Sequence, residues 1–231
     1  MAEDPNPLIV DFYKQFIGAD DLVYDVGANI GELTLIFSLL ARKVIAFEPV
    51  EESYAELEIK FGSVPKVALV KAALGEAIGA GSILTSSASP TIGTASMSGE
   101  WTEAVKKSGR FGGNKWDQGE FALILTLGDC IAESGIPAFI KIDVEGYELE
   151  VLRGLPMAVP ALSFEFTPET TIRAHKCIFR CNDLGMTEFN LSLMQEYELG
   201  EWTDAPGILP RLYNHRFSTT TYGDIYARMP K

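Results

Sequence analysis

Residues 22 to 31 read Leu-Val-Tyr-Asp-Val-Gly-Ala-Asn-Ile-Gly. An apolar run ends in Asp25 and gives way to Gly27, Asn29 and Gly31, the pattern of a strand that enters a glycine-broken turn and continues as a helix. Such a corner leaves free backbone N–H groups at the helix start beside a carboxylate, and it predicts a small-molecule site. Gly27 suits close approach of the backbone to a ligand, and Gly31 suits close packing of helix on strand. Ile30, Leu33, Ile36, Phe37 and Leu40 carry an apolar stripe along the helix, and Val44 to Phe47 form the next strand, which ends in Glu48-Pro49. An acid there, roughly 20 residues past the glycines, is placed to accept both hydroxyls of an unphosphorylated ribose.

Two ligand classes use such a β-α-β unit. The dinucleotide fingerprint is Gly-x-Gly-x-x-Gly, whereas this chain has Asp-x-Gly-x-x-x-Gly with Asp25 in first place. A carboxylate there repels a pyrophosphate and attracts the ammonium of an amino-acid moiety. S-adenosylmethionine carries that ammonium and a ribose, and no phosphate.

The chain of 231 residues is 47% hydrophobic and 22% charged, which suits one globular α/β domain. Nineteen basic against 32 acidic residues give a net charge of −13, which opposes sequence-independent binding to nucleic acid or anionic lipid. Met1-Ala-Glu-Asp-Pro lacks a basic n-region followed by an apolar segment, so the sequence reads as cytoplasmic, with no membrane partner. Three cysteines fit reduced thiols rather than a disulfide framework. Cys177 and Cys181, near His175, read as ordinary helix-face residues, since a metal site there lacks further ligands.

Before the first strand, residues 5 to 19 show helical spacing of Leu8, Ile9, Phe12, Phe16 and Ile17, and predict a helix packed on the sheet, either a cover over the cofactor end within residues 1–20 or simply part of the core. A polar helix over Glu51 to Phe61 and a third strand over Val67 to Val70 follow. Ala72 and Ala73, small residues at that strand's tip, leave room for an adenine ring. Residues 79 to 119 then break the rhythm: a possible extra strand at Ser82 to Thr85 and a Ser/Thr/Gly-rich loop from Ser86 to Gly99 predict a substrate lid. Trp101, Phe111 and Trp116 in this insertion suggest either an apolar wall for the acceptor or a loop packed by its own aromatics.

Regular structure returns at Ala122 to Thr126 and leads to Phe139-Ile-Lys-Ile-Asp-Val-Glu-Gly-Tyr147. A buried strand here carries Lys141, Asp143 and Glu145 towards its carboxyl end, where doubly wound sheets bind ligands. All three share a side only if the strand stays regular to Glu145. Glu165 lies inside the apolar strand Ala161 to Phe166, a costly place for an acid unless it is paired or functional. A helix from Glu169 to Leu184 and β-rich segments at Met186 to Leu193 and Thr221 to Ala227 complete the chain.

Val-Tyr-Asp-Val-Gly-Ala-Asn-Ile-Gly (23–31), Ala-Phe-Glu-Pro (46–49), Ala-Ala-Leu-Gly (72–75) and above all Lys-Ile-Asp-Val-Glu-Gly-Tyr-Glu-Leu-Glu-Val-Leu-Arg-Gly (141–154) resemble the FkbM-type methyltransferases. The resemblance covers roughly residues 20 to 195. It implies a class I methyltransferase fold, Rossmann-like and doubly wound, with a mostly parallel seven-stranded sheet and an antiparallel last strand. It also implies methyl transfer from S-adenosyl-L-methionine to a hydroxyl of a small molecule, typically a sugar or secondary metabolite. By position, Asp25, Gly27, Asn29 and Gly31 would hold the methionine end, Glu48 with Pro49 the ribose, and Ala72 and Ala73 the adenine side. Asp143 and Glu145, with Lys141 beside them, would face the transfer site, and Glu165 is the reserve base.

Rival readings are a metal-dependent O-methyltransferase holding Mg²⁺ with Asp143 and Glu165, and a non-catalytic S-adenosylmethionine-binding protein. A nicotinamide oxidoreductase is weaker, because no Tyr-x-x-x-Lys pair occurs. Nucleic-acid methylation is disfavoured by the charge and by the absence of a Pro-Pro-aromatic or Pro-Cys motif.

Overall fold

A computed structural model describes residues 5–86, 93–112 and 114–230. The strands run in chain order as β1 (Leu22–Val26), β2 (Lys43–Phe47), β3 (Val67–Val70), β4 (Ala73–Leu74), β5 (Gly79–Thr85), β6 (Gln118–Leu125), β7 (Phe139–Ile142), β8 (Ala161–Phe166), β9 (Glu188–Leu193) and β10 (Gly223–Arg228). The helices are α1 (Pro7–Tyr13), α2 (Glu32–Leu40), α3 (Glu51–Phe61), α4 (Gly99–Ser108), α5 (Leu127–Ser134), α6 (Glu148–Arg153), α7 (Thr171–Leu184) and α8 (Ala205–Tyr213).

Seven strands form one sheet in the order β3-β2-β1-β7-β8-β10-β9. All neighbours pair in parallel except β10, which runs antiparallel to β8 and to β9. This is the class I methyltransferase arrangement. The order reverses between β1 and β7, and the crevice beyond their carboxyl ends is where such sheets take ligands. The apolar runs at β1 and β7 are buried along their whole length, as central parallel strands covered on both faces must be.

Two layers cover the sheet. Tyr24, Ile140, Leu162, Phe164 and Ile225 face a core closed by Leu127 of α5, Val151 of α6, Ile178 of α7 and Ile208 of α8. On the other face Phe12, Tyr13, Ile36 and Phe37 pack on Val23, Val44, Phe139, Ala161 and Tyr226. α1 ends at Tyr13, and its aromatics pack on Val23, Phe139, Ala161 and Tyr226, the core-packing role that the sequence left open for this helix.

The insertion is more regular than its composition suggests. β4, β6 and β5 form a separate three-stranded sheet in that order, β6 begins at Gln118 rather than near Ala122, and α4 stands between β5 and β6. Of the loop expected over residues 86 to 99, positions 87–92 lie outside the described residues. No helix of the described residues is long and apolar enough to cross a membrane.

Candidate active site

A cleft of about 620 Å³, partly open to solvent, lies at the carboxyl ends of the central strands. Gly27 and Asn29 follow β1, Glu48 and Pro49 follow β2, and Ala72 and Ala73 follow β3; all six line the cleft. Asp143 and Glu145, just past β7, line it too. Gly27 has φ 81°, and a Cβ there would sit 1.8 Å from the carbonyl oxygen of Asp143. The backbone passes between the two site loops where no side chain fits.

Glu48 is buried, and its two oxygens accept from the backbone N–H of Asn29 at 2.8 Å and of Val50 at 2.9 Å. One carboxylate thus ties the glycine turn to the start of α3 and still faces the cleft. Burial pushes Glu48 up to about 7, against the pull of those two donors. Ser53 of α3 donates to the Asn29 side chain at 3.1 Å and fixes the turn from the other side.

The helix start offers fewer free donors than its sequence implies. The N–H groups of Gly27 and Ala28 both go to the carbonyl of Phe47, that of Gly31 to Ala28, and that of Asn29 to Glu48. A pyrophosphate would find little to bind here. Asp25 and Gly31 do not line the cleft. Asp25 is 2% exposed and accepts from the Thr34 hydroxyl of α2 at 2.5 Å, which ties helix to strand. Burial lifts it to about 6, with the Thr34 hydroxyl opposing. Gly31 faces Phe61 and Leu57 of α3.

The acidic stretch after β7 leaves strand geometry at once. β7 ends at Ile142 and Glu145 has φ 53°, so strand alternation does not govern where these side chains point. Lys141, 2% exposed, reaches Asp143 at 3.1 Å and Asp224 of β10 at 2.7 Å, rather than Glu145. Burial works against its charge, but Asp143 and Asp224 overcome that and hold the ammonium well above its ordinary value. Neither Lys141 nor Glu165 lines the main cleft. Glu165 instead opens on a hollow of about 260 Å³ behind Gly146, with Trp101, Thr167 and Arg173. Carboxylate oxygens of Asp143, Glu145 and Glu165 nevertheless come within 4.8 Å of one another. Burial, reinforced by the charge of Asp143, raises both Glu145 and Glu165 well above the usual carboxylate range.

The loop holding Glu145 and Gly146 is clamped from four sides. Ser96 donates to the Glu145 carbonyl at 2.6 Å, and Arg173 of α7 to the Gly146 carbonyl at 3.0 Å. Glu148 accepts from the N–H of Gly146 at 3.0 Å, and Trp101 lies against Gly146. The apolar-wall reading of the insertion aromatics is thereby corrected: Trp101, Phe111 and Trp116 pack on one another with Val105 and Leu84, and none lines the main cleft. What the insertion does bring to the cleft is Ile83, Gly93, Ala95 and Met97.

Sequence reasoning missed Asp224. It sits at the second position of β10, and because β10 is antiparallel, its amino end lies beside the carboxyl ends of its neighbours, opposite Glu165. The topology once assumed, that acid was a readable signal. Val50, Ser53 and Tyr147, which also line the cleft, gave no such signal. The three cysteines are free and buried, as ordinary core residues.

The family model described as the methyltransferase FkbM domain matches residues 25–176. The hexuronic acid methyltransferase AglP of Haloferax volcanii is 31% identical over 149 residues, which are 63% of this chain and 54% of that protein. The matched part thus spans about half the length of that curated relative. A crystal structure of precorrin-6y C5,15-methyltransferase from Geobacter metallireducens GS-15 covers all of this chain and 93% of its own, at 12% identity and a TM-score of 0.50. That likeness bears on the fold alone. One of an FkbM methyltransferase from Methylobacillus flagellatus KT covers 90% of this chain and 43% of its own, at 15% identity and a TM-score of 0.49. The family match begins at Asp25, runs through the cleft and the clamped acidic loop, and ends in α7; the chain belongs to the FkbM methyltransferase family.

Proposed function

We propose that the protein is an S-adenosyl-L-methionine-dependent O-methyltransferase acting on a hydroxyl of a small molecule, with a saccharide as the acceptor class. The observation that carries this reading is the cleft wall, which holds Glu48, Asp143 and Glu145 and no lysine or arginine among the described residues. Such a wall suits a cationic nucleoside without phosphate and opposes a nicotinamide dinucleotide. A hexuronic acid methyltransferase among the relatives supports the saccharide, and the net charge of −13 weighs against a nucleic-acid acceptor.

The residues fit the cofactor group by group. Val50, Ala72, Ala73, Leu74 and Ile83 give an apolar slot for a purine, Glu48 presents a carboxylate to a ribose diol, and Gly27, without a Cβ, lets the turn pass close against Asp143 at the cleft. Bound there, the cofactor would supply an electrophilic methyl group on a sulfonium, with a neutral thioether as the leaving group. The protein has to align the acceptor oxygen in line and take its proton. Asp143 and Glu145 stand at the cleft for that proton transfer, which is worth about 10² to 10⁴ in rate. Lys141 and Asp224 hold Asp143 in place from below.

The test is turnover on a panel of saccharides, uronic acids included, for Asp143→Asn and Glu145→Gln beside the wild type. One of the two substitutions is expected to cut kcat by about 10² or more while S-adenosylhomocysteine affinity stays within about threefold. If both, and their double mutant, keep near-wild-type turnover while Glu165→Gln loses it, the base is Glu165. Cofactor binding without turnover on any acceptor would instead favour a non-catalytic binding protein.

A further inference from the structure

We propose that Asp143, Glu145 and Glu165 form a binding site for one divalent cation, held by hard oxygen ligands, at the edge of the cleft where an acceptor hydroxyl would approach. The use of that cation in catalysis rests on the methyltransferase reading; its binding does not.

Three side chains from two parts of the chain converge there: Asp143 and Glu145 from the loop after β7, and Glu165 from the next strand of the sheet. One carboxylate oxygen from each lies within 4.8 Å of the others, and this is the one such group of three among the described residues. Oxygen ligands trans to one another are about 4.2 Å apart around Mg²⁺ and about 4.6 to 5.2 Å apart around Ca²⁺. Three oxygens cannot all be trans to one another, so the group has to draw together around either ion, by less for the larger Ca²⁺ than for Mg²⁺ or Mn²⁺.

The second observation is independent of the spacing. Oε2 of Glu145 is sealed from solvent and has no hydrogen-bond partner. A buried carboxylate oxygen is normally satisfied by a donor, and an unsatisfied one is costly. The nearest buried cation does not serve it, because Lys141 is committed to Asp143 Oδ2 and Asp224. That engagement leaves the other oxygen of Asp143 for a second partner. Arg173, on the far side of the same loop, is likewise taken up by Glu150, Glu100 and the Gly146 carbonyl. Arg110, whose charge also reaches Glu145, is bonded to Glu169; a site with several acceptor oxygens, an unused buried one among them, and no uncommitted cation beside it among the described residues is chemically a hard-cation site.

Manganese chloride titrated into the full chain, stripped with EDTA and returned to about 0.15 M salt, tests this. The readouts are loss of the free-Mn²⁺ paramagnetic resonance signal and calorimetry, with Mg²⁺ and Ca²⁺ as competitors. Binding of S-adenosylhomocysteine and the circular-dichroism melt are followed on the same samples to show that each variant is folded. One Mn²⁺ per chain is expected, displaced by Mg²⁺ or Ca²⁺, with affinity about tenfold lower or worse in Glu145→Gln and in Glu165→Gln. Absence of stoichiometric Mn²⁺ in the wild type overturns the proposal, and so does Mn²⁺ binding that either folded variant retains within about twofold. A wild type that binds one Mn²⁺ and no S-adenosylhomocysteine upholds the cation site and overturns the methyltransferase reading instead.

Discussion

Glu48→Gln separates what the carboxylate does for the ligand from what it does for the fold. In the proposed complex its oxygens accept from a ribose diol while already accepting from the N–H groups of Asn29 and Val50. The amide keeps one acceptor oxygen and turns a donor towards one of those partners. Hydrogen bonds to a charged group are worth about 1.5 to 3 kcal/mol, so S-adenosylhomocysteine should bind about 2 to 3 kcal/mol more weakly, roughly 30- to 150-fold. Stability in the cofactor-free protein carries the opposite sign at high pH. Burial raises Glu48 from 4.5 to about 7, so the folded state binds its proton more tightly than the unfolded chain does. The wild type therefore keeps its full stability below about pH 4.5 and loses about 3 kcal/mol as pH rises through 7. Gln carries no such charge and has no such slope. At pH 5 the variant should be less stable by about 1 to 3 kcal/mol, the cost of a backbone N–H left without its acceptor. By pH 8 that gap should close by about 2 to 3 kcal/mol, a relative gain of roughly 5 to 10 °C in Tm for a chain of this size. Urea midpoints and melts at the two pH values, with calorimetric titration of S-adenosylhomocysteine, read all three quantities. A stability gap that does not change with pH, or an affinity within about threefold of the wild type, would refute the reasoning.

Gly27→Ala places a Cβ against the Asp143 carbonyl at a positive φ, and should cost at least about 3 kcal/mol and abolish S-adenosylhomocysteine binding; a melt within about 2 °C of the wild type would show that the two loops can part. Trp101→Ala empties the aromatic cluster and frees Thr167, which receives the indole N–H at 3.0 Å. A loss of about 3 to 5 kcal/mol by urea unfolding is expected, and a loss under about 1 kcal/mol would mean that the insertion is not docked on the acidic loop. Burial pushes the Cys130 thiol up to about 11 and Cys177 well above its ordinary value, so no cysteine should react with a disulfide reagent at pH 8 until the chain is unfolded; stoichiometric labelling of the native protein counts against the buried placement.

The fold was legible because its central strands are continuous apolar runs and its turns are marked by glycine: Val23 to Gly31 and Phe139 to Gly146 each announce a strand, a break and a helix. Glu48 was legible as well, since spacing alone puts an acid at the tip of the second strand. The surroundings of Asp25 were not, because a carboxylate open to a cleft and one bonded to a neighbouring helix look alike in sequence; the 2.5 Å bond from Thr34 shows it bonded to α2. The insertion was legible in part: the strand at Ser82 to Thr85 is the end of β5, but α4, the earlier start of β6 at Gln118 and the pairing of the two strands some forty residues apart were not, because non-local pairing leaves no local signature.

The aromatics of that insertion also change what the acidic loop can do. Methyl transfer in line tolerates little error in where the proton acceptor sits, and a loop carrying two acids, with Glu145 in the left-handed region, would not hold such a position unaided. Here the carbonyls of Glu145 and Gly146 are each tied by a side chain, Ser96 and Arg173, and the N–H of Gly146 is tied by Glu148. A Cβ at Gly146 would come within 2.4 Å of Trp101, so the glycine in this stretch is where the insertion seats. A rigid swing of the whole insertion would break the Ser96 bond and expose a tryptophan that is 1% accessible, which is a large cost for each turnover. In the proposed reaction, acceptor entry is therefore expected on the side of Gly93, Ala95 and Met97, which line the cleft, while the part built on Trp101 stays down and holds the loop that carries Glu145.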